Sequence, residues 1–283
     1  MNLRKVLIGT ASIGLLALSL TACGGDSGGN SSVAKDCTPE SEFKTMTAGV
    51  LTVAAPEFPP FSSNKDGKLS GVDADVIKEF AAKNCLDVKV ESTSYAGTIP
   101  AVQSGRADVA IGCYYRTAIR AEIVDLSDPI YTDEMGLISK NGVNEIPKLE
   151  SMKVGTVDGY LWVADMKKVM GANLTIYPSA VEMQADLKAG RIEVGIDGYG
   201  SAVEMYKADS TYKVVGAAPD PRVIASKEPA QIGFPVAKDK SDLTKALNAS
   251  IASMKTDGKI VDVLESYGLP ATAGDTGEPR LVQ

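Results

Sequence analysis

Two charged residues stand where a small polar molecule could be gripped. Arg120 offers a planar guanidinium fork suited to a carboxylate, with a surface salt bridge to Glu122 or Asp125 as the alternative. Asp197 ends the apolar run at 192–197, where an enclosed carboxylate without a cation is costly. It suits an ammonium group, or else caps the next helix. Aromatic residues are only 6% of the chain, yet Phe58, Tyr95, Tyr115 and Tyr160 all fall in loops that follow predicted strands. Such rings supply flat apolar walls and can hold a cation over a face. Cys113 opens a polar turn after another apolar run, and Asp158 adds a carboxylate beside Gly159. Trp162 reads as packing inside a helix. A different chemistry belongs to Cys23, whose thiol follows Leu20-Thr21-Ala22 and could carry a thioether-linked diacylglycerol. The chain has no histidine, so a His-based triad or zinc site is excluded. No two cysteines show metal-ligand spacing, and no paired carboxylates are set for acid/base work. Neither a cofactor nor a metal is expected, and the chain reads as a non-enzyme.

The segments around these residues divide the chain. Residues 1–22 have the layout of an export signal: Arg4 and Lys5, an apolar run from Val6 to Leu20, then small residues. The run is shorter than the ~20 residues that span a bilayer comfortably. With Cys23 it reads as a lipoprotein signal, placing the mature chain on the outer face of the cell membrane. Gly24 to Ser32 are rich in Gly, Ser and Asn and read as a tether. Removing Arg4 and Lys5 with the leader takes the formal charge from −7 to −9. With no long basic patch, nucleic acid and anionic lipid are poor partners. Outside the cell a disulfide can persist. Cys37 in the N-terminal arm and Cys85 at the end of an amphipathic helix are candidates to pair, with separate buried thiols as the alternative.

The element order is β-α-β-α-β, twice. The first round has a strand at 50–55, a helix N-capped by Asp73 with Val76, Ile77 and Phe80 on one face, and a strand at 88–91. A helix near 98–104 and a strand at 107–112 complete it. The second round has strands at 153–157, 174–177 and 192–197, with helices at 161–170 and 180–188. Gly105-Arg106 and Gly190-Arg191 fall at matching places, helix end before strand, which favours two similar α/β lobes over one barrel. A strand at 232–237 and helices at 243–254 and 260–267 follow, then a Pro/Gly-rich tail read as frayed. In open α/β sheets, ligands bind beyond the C-terminal strand ends, where the residues named above fall.

Several stretches, in this order and spacing, resemble the family-three extracellular solute-binding proteins of polar amino-acid ABC importers. They are Phe58-Pro59-Pro60-Phe61, Gly71-Val72-Asp73-Ala74-Asp75-Val76, the run 99–108 ending Gly105-Arg106-Ala107-Asp108, Arg116-Thr117-Ala118-Ile119-Arg120, the run 125–131, and Val154-Gly155-Thr156-Val157-Asp158-Gly159. The resemblance implies an α/β fold of two Rossmann-like lobes joined by a two-strand hinge, the type II periplasmic-binding-protein architecture. It implies lobe 1 at 49–138 and 236–268, lobe 2 at 139–235, a lipidated arm at 23–48 and a flexible tail at 269–283. It also implies a monomer that holds a small amine or amino acid between its lobes and delivers it to a permease. Arg120 would meet the ligand carboxylate, Asp197 its ammonium, and Phe58 and Tyr95 the side chain. Cys113, Tyr115, Asp158 and Tyr160 would stand around it. Tyr115, Tyr160 and Leu161 depart from the family's small hydroxyl residues, and Ala55 stands where cationic-amino-acid binders often carry an acid. These departures favour a hydrophobic or aromatic amino acid, or another amine. The rival readings are an enzyme of the same fold and a ligand-free signalling or adhesion lipoprotein.

Overall fold

The computed structural model describes residues 33–34, 36–227 and 229–282; the leader at 1–22, Cys23 and the tether to Ser32 lie outside the described residues. Val50–Ala55 is buried over five of its six residues, without the alternation of a half-exposed strand. That is the pattern of a parallel strand covered on both faces. It sits inside a five-stranded sheet ordered Asp87–Ser92, Val50–Ala55, Val109–Ala110, Pro235–Val236, Asp125–Leu126. The first three are parallel, and Pro235–Val236 runs antiparallel to both its neighbours.

A second five-stranded sheet repeats the plan, ordered Leu174–Tyr177, Val154–Val157, Val194–Gly198, Met135–Ser139, Lys213–Gly216. Again the first three are parallel and the fourth is antiparallel to both neighbours. The two sheets are connected by Thr132–Asp133 and Ala230–Gln231, which pair with each other as a short antiparallel ladder. This is the two-lobed α/β architecture with paired crossovers. The buried strand Met135–Ser139 belongs wholly to the second sheet, so the first passage precedes the 138/139 boundary read from the sequence.

Several local expectations change for identifiable reasons. Asp73 is not an N-cap: Gly71, at φ 120°, holds that position, and Asp73 is buried in the first turn of the helix Val72–Lys83. Its Oδ2 accepts from the backbone N–H groups of Gly112 (2.8 Å) and Cys113 (2.7 Å), and its Oδ1 from the Tyr131 hydroxyl at 2.6 Å. Asp73 therefore fixes the loop that carries Cys113, which itself adopts φ 56°. The strand expected over 107–112 pairs only at Val109–Ala110. Asp108 turns aside to accept from Met46 N (2.7 Å) and Thr52 N (2.9 Å), which ties the N-terminal arm to the sheet. The run 232–237 is interrupted at Gly233, where a Cβ would lie 2.8 Å from the Ser127 carbonyl oxygen. Trp162 precedes its helix, which starts at Val163.

The tail is pinned rather than frayed. Gln231 Nε2 donates to the carbonyls of Thr276 (2.8 Å) and Glu278 (2.7 Å), and Val282 exchanges backbone bonds with Arg116 and Ala118, each 2.9 Å. The tail thus satisfies its polar backbone on a crossover strand and on the loop before Arg120, partners that local composition does not reveal.

Cys37 and Cys85 are joined in a disulfide across a sequence separation of 48 residues, and Phe43 of the same arm stacks on Phe80 with centroids 5.5 Å apart. Closing a loop of this length removes denatured-chain entropy worth about 4 kcal/mol in the ideal limit. Replacing both cysteines by serine should therefore lower the unfolding free energy by about 2–4 kcal/mol, measured by urea denaturation. An unchanged midpoint would show that the arm contributes nothing to the folded core.

Candidate functional site

Arg120 is set by the short helix Ala118–Ile123, whose N-cap Thr117 accepts a hydrogen bond from Arg120 N at 3.1 Å. The guanidinium is buried, 8% exposed, with its carbon 5.0 Å from the centre of the Tyr114 ring. One nitrogen donates to Tyr115 O at 2.8 Å and the other to Gly159 O at 3.2 Å, so it reaches from the first sheet's loops to a loop of the second. Both are neutral carbonyls. Neither Glu122 nor Asp125 pairs with it, so the salt-bridge alternative is not what the fold uses. Arg120 also lines the space between the lobes, and a guanidinium is a planar fork suited to a carboxylate.

Asp197, near the end of the strand Val194–Gly198, is fully buried. Its Oδ1 accepts from Gly198 N at 2.8 Å and from the Tyr160 hydroxyl at 3.0 Å, while Oδ2 is buried with no hydrogen-bond partner. Burial, reinforced by the nearby Asp133, pushes its pKa up to about 7. An acceptor enclosed without a donor is expensive, and a donor brought to it, or a proton on the carboxyl, relieves that cost.

Asp133 was not among the residues picked out by sequence. It lies on the crossover Thr132–Asp133, and burial pushes its pKa up to about 6. Its Oδ1 accepts from Gly200 N at 3.1 Å; Oδ2 accepts from the Tyr115 hydroxyl at 3.2 Å and the Cys113 thiol at 3.5 Å. Burial pushes the Cys113 thiol up as well, so it stays a neutral donor. Gly198 makes the approach feasible, since a Cβ there would lie 2.7 Å from Asp133 Oδ2. The sequence signal was an acid two residues after Pro129-Ile130-Tyr131, on the crossover strand Thr132–Asp133.

Aromatic rings from both lobes close the space. Phe58 and Tyr95 come from the first-sheet side and meet Tyr160 of the second at 5.6 and 4.8 Å between centroids. Tyr160 also packs edge-on against Trp162 at 5.1 Å, and Trp162 against Tyr115 at 6.1 Å. Trp162 is therefore part of the wall as well as packing, oriented by its Nε1 donating to Thr156 Oγ1 at 2.7 Å. Below Tyr95 lies Tyr114, stacked at 4.7 Å and hydrogen-bonded to Thr98. The rings leave only a narrow space, lined by Phe58, Tyr95, Cys113, Tyr115, Arg120, Asp133, Tyr160, Leu161, Trp162 and Gly198. Asp197 stands directly behind Tyr160 and Gly198. Asp158 is exposed and does not line the space. A larger groove runs past Pro60, Glu204 and Lys207, but that acid and base pair with each other at 2.5 Å. The unpaired buried charges mark the smaller cavity as the site.

Residues 51–270 match the family model for bacterial extracellular solute-binding proteins, family 3. The chain is 27% identical over 233 residues to a probable histidine-binding protein of Campylobacter jejuni, covering 80% of this chain and 86% of that protein. It is 26% identical over 232 residues to the L-cystine-binding protein TcyJ of Escherichia coli K12, covering 79% and 84%. Among solved structures, an ancestral arginine-binding protein bound to arginine superposes with a TM-score of 0.70 at 29% identity, covering 78% of this chain and 98% of that one. An ancestral amino-acid-binding precursor of cyclohexadienyl dehydratase shares the fold, with a TM-score of 0.67 at 24% identity, 77% of this chain and 95% of that one. The matched segment runs from the first strand through both lobes and both crossovers, and the chain belongs to the family-3 extracellular solute-binding proteins.

Proposed function

We propose that the protein captures an amino acid between its two lobes outside the cell and presents it to an ABC permease, without chemical turnover. The observation that carries this reading is two buried charges without a counter-ion at one small cavity: the Arg120 guanidinium in its lining, and Asp197, with Oδ2 partnerless, directly behind the lining residues Tyr160 and Gly198. A carboxylate on the first and an ammonium on the second describe the α-carbon substituents of an amino acid. Phe58, Tyr95, Tyr115, Tyr160 and Trp162 then enclose its side chain. The names of the relatives, which bind histidine, cystine and arginine, support the same class.

Because the solute touches residues of both lobes, its full binding energy is available only when they meet, so binding shifts an open–closed equilibrium. The lobes are the segments flanking the crossovers, and the molecule works as a monomer held near its permease by lipid on Cys23, after removal of residues 1–22. Replacing Cys23 by alanine should release the protein into the medium, seen by fractionation and by loss of the lipid mass.

Arg120→Ala and Asp197→Ala should each weaken amino-acid binding by about 2–5 kcal/mol, the usual effect of removing one member of a buried charge pair. Calorimetry checks this, and unchanged affinity in both variants would reject the recognition scheme. Incubation with the bound amino acid should yield no product; an observed product would restore the enzyme reading.

Protonation gives an independent test. Burial raises Asp197 to about 7 and Asp133 to about 6, from 3.8, and raises Asp73 in the same direction. Between roughly pH 4 and 7 the native state therefore binds more protons than the unfolded chain, so the stability of the ligand-free protein falls as pH rises through that window. Urea denaturation at a series of pH values measures the slope, and Asp197→Asn should flatten its upper part. An ammonium ligand favours ionised Asp197, so binding near pH 6–7 should release protons. Calorimetry in buffers of different ionisation enthalpy would detect them; no release would mean that Asp197 does not meet the cation.

A further inference from the structure

We infer that Asp133 is a second cation-recognising carboxylate of the same cavity, and that it makes the site selective for dibasic amino acids, which carry two positive charges and one negative. The inference rests on the amino-acid reading above and adds the substrate class and a residue that sets it.

Three charged side chains are buried around this space, and none is paired with another. Arg120 donates to the carbonyls of Tyr115 and Gly159. Asp197 accepts from Tyr160 and a backbone N–H, with one oxygen unsatisfied. Asp133 accepts from Gly200 N, Tyr115 and Cys113. Every donor to the two carboxylates is neutral, and among the described residues no lysine or arginine forms an ion pair with either. Buried charges are ordinarily paired or neutralised. An ordinary zwitterion would match Arg120 and one carboxylate and leave the second acid enclosed without a cation. A solute with one carboxylate and two cationic nitrogens matches all three.

The two acids are placed to act together. Gly198 N donates to Asp197 Oδ1, while Asp133 Oδ2 occupies the place beside Gly198 where a side chain would begin. They flank one residue, one from a strand of the second sheet and the other from a crossover. Asp133 also receives the Tyr115 hydroxyl, so a wall residue that departs from the family's small hydroxyls acts as the holder of this carboxylate. An acid supplied from the crossover accounts for selectivity toward a cationic side chain although the first strand ends in Ala55. The aromatic rings are compatible with that side chain, since their faces attract cations. This replaces the expectation of a hydrophobic or aromatic solute.

The test is calorimetric titration of the full mature protein at pH 7.5 with arginine, lysine and ornithine, and with leucine, phenylalanine and glutamine. The wild type should bind at least one dibasic amino acid about tenfold or more tightly than any neutral one. In Asp133→Asn, the ratio of dibasic to neutral affinity should fall by about 30-fold, within the range for removing one partner of a buried charge pair. A wild type that prefers neutral amino acids overturns the inference by itself, whether or not the variant folds. An Asp133→Asn protein with wild-type melting and an unchanged affinity ratio also overturns it. Failure of every amino acid to bind would overturn the amino-acid reading too, whereas tight binding of neutral ones alone would sink only the dibasic class.

Discussion

Charges withdrawn from water without a counter-charge organise this molecule. Arg120, Asp133 and Asp197 are buried at one small cavity, and each is held by neutral groups rather than by one another. A folded protein retains such an arrangement only if the surrounding framework enforces it, because removing three charged groups from water opposes folding. Much of the framework is intelligible in these terms. The paired crossovers set Asp133 between the lobes, and the parallel strand Val194–Gly198 delivers Asp197 to its end. The N-cap at Thr117 fixes the turn that carries Arg120, and the C-terminal tail braces the same turn through Val282.

The cavity's shape follows from a second layer of buried polar contacts. Asp73 spends its carboxylate on the backbone of Gly112 and Cys113 and on Tyr131, so the loop bearing Cys113, Tyr114 and Tyr115 has little freedom. Tyr114 supports both Tyr95 and Arg120, placing one ring beneath a wall and beneath the cation. Rings from one lobe meet rings from the other, which puts an apolar seal around the charged centre and strengthens electrostatic attraction there by excluding water. The larger groove past Glu204 and Lys207 has volume, but its acid and base pair with each other and its remaining lysine, Lys65, is exposed to water.

The elements were largely legible because their signals are local. Val50–Ala55, Leu174–Tyr177 and the helix carrying Val76, Ile77 and Phe80 each show a periodic or continuous apolar pattern. Asp197 stood out because a charge ending an apolar run is conspicuous, and Arg120 because a planar cation stood in a strand-end loop, whereas Cys37–Cys85 was one reading beside separate buried thiols until the disulfide joined them. What escaped reading depends on long-range partners. Asp133 occupies a short crossover with no periodic context, and its meaning appears only when Gly198, Tyr115 and Cys113 converge on it. Asp73 resembles an N-cap until residues about 40 positions away claim its oxygens. Asp158 looked like a pocket acid in sequence, but the loop turns it to solvent. The tail has the composition of a frayed end, yet Gln231 and Arg116 supply it with partners.

We propose that a solute's cationic nitrogen relieves the unsatisfied Asp197 carboxylate while its carboxylate meets Arg120. An experimental structure of the protein with its bound amino acid tests that most directly. Such a structure should show an ammonium nitrogen within hydrogen-bond distance of Asp197 Oδ2 and carboxylate oxygens on the Arg120 guanidinium. A solute held in the reverse orientation, or in the groove beside Glu204 and Lys207 with Asp197 Oδ2 still without a donor, would contradict it.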